Sequence, residues 1–147
     1  MLADLAYDGE WKPFFETVAQ SYRENSAVRD TIEGERNLQG FLKAYLALAS
    51  YYLMEPELEM NYGYCDFFLL PDKQRYPDIA HSYILELKYA ARTATDRELE
   101  TQAEEGHRQL LQYSQDKVAR RLVDGTKLHL VLLQFCGWEM VRCEEVE

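Results

Sequence analysis

The chain has 147 residues, of which 47% are hydrophobic and 13% aromatic, enough for one ordinary domain with its own core. A domain that binds DNA without a partner usually carries a basic face. With a formal net charge of −10, this chain is not basic on average. The sequence has neither an apolar run long enough to cross a membrane nor a basic and apolar leader, so we expect a cytoplasmic protein without a membrane partner.

The first third of the chain predicts two amphipathic helices, over residues 9–25 and 34–53, because bulky apolar residues recur every three or four positions. Their apolar stripes are Trp11, Phe14, Phe15, Val18 and Tyr22 in the first helix and Leu38, Leu42, Tyr45, Ala49 and Tyr52 in the second. Glu35 stands at the head of the second stripe. The helix dipole favours a carboxylate there, whereas a carboxylate on the buried face would need a partner such as a metal ion.

Three strands are predicted next, over residues 54–60, 64–71 and 83–89, where aromatic and branched residues are bounded by Gly, Pro and Asp. Because strand side chains alternate between faces, Glu86 and Lys88 point the same way. The apolar side chains between and around them point the other way, and these are Tyr83, Leu85, Leu87 and Tyr89.

A neighbouring strand that carries Asp66 would complete a cluster of two carboxylates and one ammonium group with Glu86 and Lys88. Two carboxylates beside a water-filled gap suit a hard divalent cation. A lysine beside them can hold or activate a water or an oxyanion. Each residue alone also has a structural explanation, Asp66 as a turn cap and Lys88 as an ion-pair partner of Glu86.

The second half of the chain predicts one long helix and two strands. Thr95 and Glu98 form a capping box, so a helix begins there and runs to about Ser114, with a further turn or two to Val123. Its expected inner stripe is Leu99, Ala103, His107, Leu110 and Leu111. The strands cover residues 128–135 and 138–143. This order predicts an α/β domain with helices packed on a central mixed sheet of about five strands.

The spacing of Asp66 and the Glu86-Leu87-Lys88 triplet on successive strands resembles the signature of the PD-(D/E)xK nuclease superfamily. More specifically, the chain resembles the nuclease-like domain found C-terminal to AAA-type ATPase-like domains in bacterial proteins, and the resemblance runs from about Leu5 to the end. It implies a restriction-endonuclease-like core. We therefore expect residues 1–147 to form a single domain, with a helical extension over 1–30 and the core over 31–147.

The resemblance also implies a site. Asp66 and Glu86 would bind Mg²⁺ or Mn²⁺, with the backbone carbonyl of Leu87 as a further ligand and Glu35 as a third acid reaching the metal. Lys88 would orient or deprotonate the attacking water, or balance charge in the transition state.

Two further elements concern nucleic acid. Gln109 and Tyr113, four residues apart on the long helix, match a family element that contacts the attacking water or a phosphate, and a polar residue closing the core edge is the alternative. Lys117, Arg120 and Arg121 share one helical face by their spacing. They form either a solvated helix face or a modest phosphate-contacting patch.

Two functions are compatible with these features. The first is a metal-dependent nuclease domain that acts on DNA and works with an AAA-type ATPase domain in cis or in trans. The second is a nuclease-derived module that no longer cleaves and serves in nucleic-acid binding or regulation. The triad of Asp66, Glu86 and Lys88 favours the first, and the net charge of −10 favours the second.

Overall fold

The structure is a computed structural model that describes residues 1–29, 34–56, 59–60, 63–64 and 67–147, with side chains described outside 26–33 and 54–66. After a short π-helical segment at Asp4–Asp8, the helices are α1 (Lys12–Arg29), α2 (Glu35–Leu46), α3 (Asp96–Ser114) and α4 (Lys117–Leu122). The strands are β1 (Tyr52–Pro56), β2 (Glu59–Met60), β3 (Gly63–Tyr64), β4 (Phe67–Pro71), β5 (His81–Ala90), β6 (Lys127–Cys136) and β7 (Glu139–Glu145). Among the described residues, no helix has the length and apolar content that crossing a membrane requires.

Five strands form one mixed sheet in the order β1-β4-β5-β6-β7. The central pair β5–β6 is parallel, and the other neighbours are antiparallel. The parallel pair requires a crossover, and α3 and α4 supply it, as expected for parallel strands. Strands β2 and β3 form a separate two-stranded hairpin. The predicted α/β architecture with a five-stranded mixed sheet flanked by helices is therefore confirmed.

The sheet carries a hydrophobic cluster on each face. On one face, Tyr83, Leu85 and Leu87 of β5 pack with the N-terminal segment, α1 and α2. On the other face, Ile84 of β5 packs with β4, β6 and the crossover helices, through Phe68, Ala103, Leu110, Tyr113, Ala119, Val123, Leu130 and Leu132. We call this second side the α3 face. Burial of apolar area on both faces explains why β5 is buried along most of its length.

The second helix ends earlier than the apolar stripe predicted. α2 stops at Leu46, and Tyr52, expected on that helix, instead begins β1, where it pairs with Pro71. Tyr52 is 7% exposed and donates a hydrogen bond from its hydroxyl to the carbonyl of His81 at 2.7 Å. Ala49 is buried in the turn between the two elements. The apolar pattern of this short segment is compatible with either a helix or a strand, as is common for short apolar segments. Pairing with β4 places it in a strand.

Two other boundaries also differ. The predicted strand 54–60 is divided between β1 and β2, and the predicted strand 64–71 between β3 and β4.

On α3, the Thr95 cap is confirmed, since its hydroxyl accepts from the amide of Glu98 at 3.1 Å. The buried stripe, however, is Ala103, Gly106, Leu110 and Tyr113. Leu111 and His107, expected inside, lie at the edge of the helix, Leu111 being 42% exposed.

A histidine chain links three strands on the face opposite α3. His129 is buried and donates from Nδ1 to Glu145 at 2.8 Å, and its Nε2 lies 2.8 Å from Nδ1 of His81. Trp11 donates to the same Glu145 carboxylate at 2.9 Å. The ring of Tyr83 stacks on His129 at a centroid distance of 4.8 Å. Because Nδ1 of His129 carries the proton for Glu145, its Nε2 accepts from His81.

The contact between His81 and His129 makes the stability of the protein depend on pH. Burial, followed by the neighbouring His129 and Lys127, lowers the pKa of His81 below its ordinary value of about 6.5, against weaker opposite effects of Asp8 and Glu145. As the pH falls below that value, His81 becomes protonated in the unfolded state but stays neutral in the folded state. The free energy of unfolding therefore falls until the pH passes the folded pKa. Above about pH 6.5 His81 makes no such contribution.

We therefore expect urea unfolding to show that His81→Gln loses less stability than the parent between pH 7.5 and pH 5. The substitution leaves a hydrogen-bonding group facing His129 and removes the titration. Parallel pH profiles for the two proteins would contradict this role for His81.

Candidate functional site

Glu86 lies on β5, the central strand of the sheet. β4 pairs with β5 from Phe67 opposite Leu85 to Leu69 opposite Tyr83, so among the described residues Glu86 has β6 as its only neighbouring strand. Its side chain is 4% exposed and follows Ile84 on the α3 face. A carboxylate buried beside apolar side chains is costly unless it has polar or ionic company.

Lys88 lies on the same face as Glu86, as the alternation predicted. It is half-buried and pairs in register with Gln134 of β6. Among the described residues it forms no ion pair. Leu87, between the two, is 2% exposed on the opposite face, and its carbonyl is the group predicted as a further metal ligand.

Asp66, the other predicted metal ligand on a strand, lies outside the described residues. Phe67, which follows it in the sequence, pairs with Leu85 next to Glu86. The described residues contain no group of three His, Cys, Asp or Glu side chains that could hold a metal ion. Glu86 supplies the hard oxygen donor that Mg²⁺ or Mn²⁺ prefers, so it fits such an ion as far as the described side chains extend.

Glu35 is the first residue of α2 and its side chain is exposed. Its helix packs through Leu38, Leu42 and Leu46 on the face of the sheet opposite Glu86. The exposed position in the first turn agrees with stabilisation by the helix dipole. Participation of Glu35 in a metal site stays a prediction.

Gln109 and Tyr113 lie on α3, the helix that covers the site face. The side-chain oxygen of Gln109 is buried and accepts no hydrogen bond from the part of the chain that the structure describes. A buried amide oxygen without a donor is unusual and is satisfied by a bound water or ligand group in many proteins. Tyr113 is 4% exposed in the apolar cluster of the α3 face.

A buried amide beside Lys88 was missed by sequence analysis. Gln134 is fully buried, donates to the carbonyl of Leu99 at 2.8 Å and to Oε1 of Gln102 at 2.9 Å, and accepts from Nε of Arg142 at 3.1 Å. Gln102 in turn donates to the carbonyl of Tyr89 at 2.8 Å. These bonds hold α3 on β5 and β6. The sequence does contain a signal for this buried amide, since a glutamine interrupts the otherwise apolar run of β6.

Gly106 allows α3 to approach the sheet closely above Lys88. A Cβ at this position would lie 2.7 Å from Cδ1 of Leu132 and 3.6 Å from Cε of Lys88. Leu132 is fully buried and pairs in register with Glu86, so it has little room to move away. The absent side chain thus fixes the distance between the helix and the two site residues.

We expect Gly106→Ala to lower the free energy of unfolding by roughly 1–2 kcal/mol, because overpacking outweighs the gain in helix propensity. Gly40→Ala is the matched control, since Gly40 is also helical but nothing lies within 4 Å of its added Cβ. That control should gain about 0.5–1 kcal/mol. Equal effects of the two substitutions in urea unfolding would contradict the close approach at Gly106.

The predicted basic patch lies on α4, where Lys117, Arg120 and Arg121 are all exposed. Arg120 donates from Nε to the carbonyl of Ser114 at 2.7 Å. Both arginines stand in the last turn of the helix, where the dipole favours cations. Their structural role does not prevent contact with phosphates, which stays a prediction.

Comparison with known families matches residues 33–145 to the PD-(D/E)XK nuclease superfamily. The match covers most of the chain and includes β5, β6 and the crossover helices. No curated protein and no solved structure matches the chain.

Proposed function

Because the chain belongs to the PD-(D/E)XK nuclease superfamily, we propose that this nuclease-type domain hydrolyses phosphodiester bonds of DNA with the help of Mg²⁺ or Mn²⁺. Members of this superfamily generally use divalent metals. The observation that carries the proposal is the buried carboxylate of Glu86, which shares the α3 face with Lys88 two residues further along β5. The five-stranded mixed sheet is the restriction-endonuclease-like fold of the family.

The metal would be held by Glu86 and Asp66, with the carbonyl of Leu87 and the carboxylate of Glu35 completing its ligands. A bound divalent cation lowers the pKa of water and stabilises negative charge on phosphoryl oxygens. Support for Asp66 comes from its neighbour in the sequence, Phe67, which pairs with Leu85, the residue before Glu86. The exposed side chain of Glu35 gives its participation weaker support.

Lys88 would position the attacking water and receive its proton or neutralise charge that develops on the phosphate. Its stem runs under Gly106, and Gln134 beside it has both side-chain atoms bonded elsewhere. The ammonium group would then interact with water and substrate. Gln109 would accept a hydrogen bond from the same water, since its buried side-chain oxygen has no donor among the described residues.

An AAA-type ATPase domain, in cis or in trans, would bring the nucleic acid to the site. The resemblance supports this partner, and so does the net charge of −10, because a chain so acidic repels a phosphate backbone unless something else holds it. Lys117, Arg120 and Arg121 would add a small local attraction. We further propose that residues 31–147 are the nuclease core and 1–30 an extension, in agreement with a family match that begins at residue 33.

A second candidate is a nuclease-derived module that binds nucleic acid or regulates a partner without cleaving. The acidic net charge and the exposed Glu35 favour it. It predicts metal or nucleic-acid binding in the absence of turnover.

The deciding experiment measures cleavage of labelled single- and double-stranded DNA and RNA with Mg²⁺, Mn²⁺ or EDTA, with and without an AAA-type ATPase partner. We expect metal-dependent cleavage of DNA that Asp66→Asn abolishes. Metal binding without cleavage under every condition would favour the non-cleaving module. Cleavage that persists in EDTA or in Asp66→Asn would reject the proposed site.

A further inference from the structure

Two glutamines join α3 to the part of the sheet that carries Lys88. Gln134 is fully buried on β6, where it pairs in register with Lys88 on the same face. Gln102 is half-buried on α3, one turn before Gly106, whose added Cβ would lie 3.6 Å from Cε of Lys88. Both amides are therefore neighbours of the Lys88 segment, one within the sheet and one in the helix above it.

The hydrogen bonds of these amides run in one direction. Arg142, which has only donors, donates from Nε to Oε1 of Gln134 at 3.1 Å. Nε2 of Gln134 donates to the carbonyl of Leu99 at 2.8 Å and to Oε1 of Gln102 at 2.9 Å. Gln102 donates in turn from Nε2 to the carbonyl of Tyr89 at 2.8 Å. Because a guanidinium group cannot accept and a carbonyl cannot donate, neither amide can be reversed without losing these bonds.

The first donor of the series is itself held by α3 and β7. The guanidinium group of Arg142 donates to Glu100 at 3.0 Å and lies 3.6 Å from the carboxylate of Glu144. The same Glu144 oxygen lies 2.5 Å from Nε2 of His107. Glu100 and His107 are on α3, before and after the turn that contains Gln102. These contacts attach the helix to the edge strand at two points along its length.

Stability alone does not require two amides in this position. A polar group loses its hydration on burial, and its hydrogen bonds little more than offset that cost. Apolar side chains of the same shape could hold α3 on the sheet equally well. A fully bonded polar network adds a single fixed arrangement of the elements that it joins. Here the network ends at the carbonyl of Tyr89, so it fixes the backbone immediately after Lys88.

We propose that Gln102 and Gln134 are positioning residues for Lys88 in the proposed reaction. The proposal rests on the proposed function for the role of the lysine. Gln102 holds the strand beside Lys88, and Gly106 on the next turn of α3 lies against its stem. The place of the ammonium group thus depends on the two amides. A displacement of about 1 Å can lower the rate of an enzyme about 10²-fold, so such positioning has a measurable effect.

The surroundings of Lys88 can be followed without any cleavage. The lysines are dimethylated with carbon-13 formaldehyde and a reductant, which preserves their charge, and the resonance of Lys88 is identified by its loss in Lys88→Arg. We expect Gln102→Met and Gln134→Met each to shift this resonance, because both substitutions remove the amide and keep a long side chain. If Gln134→Met fails to fold, the half-buried Gln102 decides the question alone.

Ser82→Ala is the matched control. Ser82 is fully buried on the same face of β5, and its hydroxyl lies 2.8 Å from that of Thr126. The substitution removes one buried hydrogen bond about 20 Å along the strand from Lys88. It should leave the Lys88 resonance and the cleavage rate as in the parent.

Kinetics with Mn²⁺ and DNA then separate positioning from general stability. We expect Gln102→Met to lower kcat about 10²-fold, while KM and the metal-dependent rise in Tm stay as in the parent. An unmoved Lys88 resonance in both glutamine variants would overturn the proposal. So would a parental kcat in both, or an equal loss of kcat in Ser82→Ala. If the parent itself does not cleave, the proposed function fails, and the resonance still decides whether the two glutamines position Lys88.

Discussion

Glu86→Gln is expected to abolish metal-dependent cleavage and the metal-dependent gain in stability together. Glutamine keeps the size of the side chain and removes the charge of a residue that is 4% exposed on the central strand β5. A cation that stabilises transition-state charge contributes several kcal/mol, so we expect a loss of at least about 10³-fold in rate. Steady-state cleavage with saturating Mn²⁺ measures it.

Thermal unfolding gives an independent measure. A metal present at about 100 times its Kd stabilises the parent by about 2.7 kcal/mol, or roughly 5–11 °C in Tm for a domain of this size. Glu86→Gln should show none of this shift, whereas the control Glu104→Gln, on the exposed side of α3, should keep it. An undiminished shift in Glu86→Gln would remove Glu86 from the metal site.

Lys88→Met is expected to separate chemistry from metal binding. Methionine retains most of the stem that passes beneath Gly106 and removes the ammonium group. The metal-dependent Tm shift should survive, while the cleavage rate at saturating substrate falls by roughly 10²–10⁴-fold, the usual contribution of a group that transfers or holds a proton.

Lys127→Met is the matched control, because Lys127 is an exposed lysine on the neighbouring strand at the far end of the sheet. It should cleave as the parent does. If Lys88→Met also cleaves at the parental rate, Lys88 is only a structural cation. If it loses the metal-dependent Tm shift as well, its charge serves the carboxylates rather than the substrate.

The strand that carries the candidate site was predictable because its side chains follow a period of two. Glu86 and Lys88 had to share one face once β5 formed, and Tyr83, Leu85 and Leu87 had to share the other. The start of α3 was equally predictable, since the Thr95 cap is a local interaction. In both cases the deciding contacts lie within a few residues along the chain.

Other features depend on contacts between distant segments. The end of α2 at Leu46 is determined by the pairing of Tyr52 with β4, and the apolar pattern alone could not reveal it. The phase of the α3 stripe depends on Gly106 facing Leu132, although glycine carries no hydrophobic signal. The bonds of Gln134 and the contact of His81 with His129 follow from the parallel register of β5 and β6, which no local motif specifies.

That register also bears on how the protein acquires its native structure. His81 of β5 pairs with Lys127 of β6, so the central strand pair joins segments separated by the whole α3–α4 crossover. Loop closure must precede this pairing, which makes parallel sheets slow to form. A ribosome-bound chain that ends before β6 would already contain Asp66, Glu86 and Lys88, yet would expose the apolar run of β5 to aggregation. The complete central sheet is therefore formed only late in synthesis.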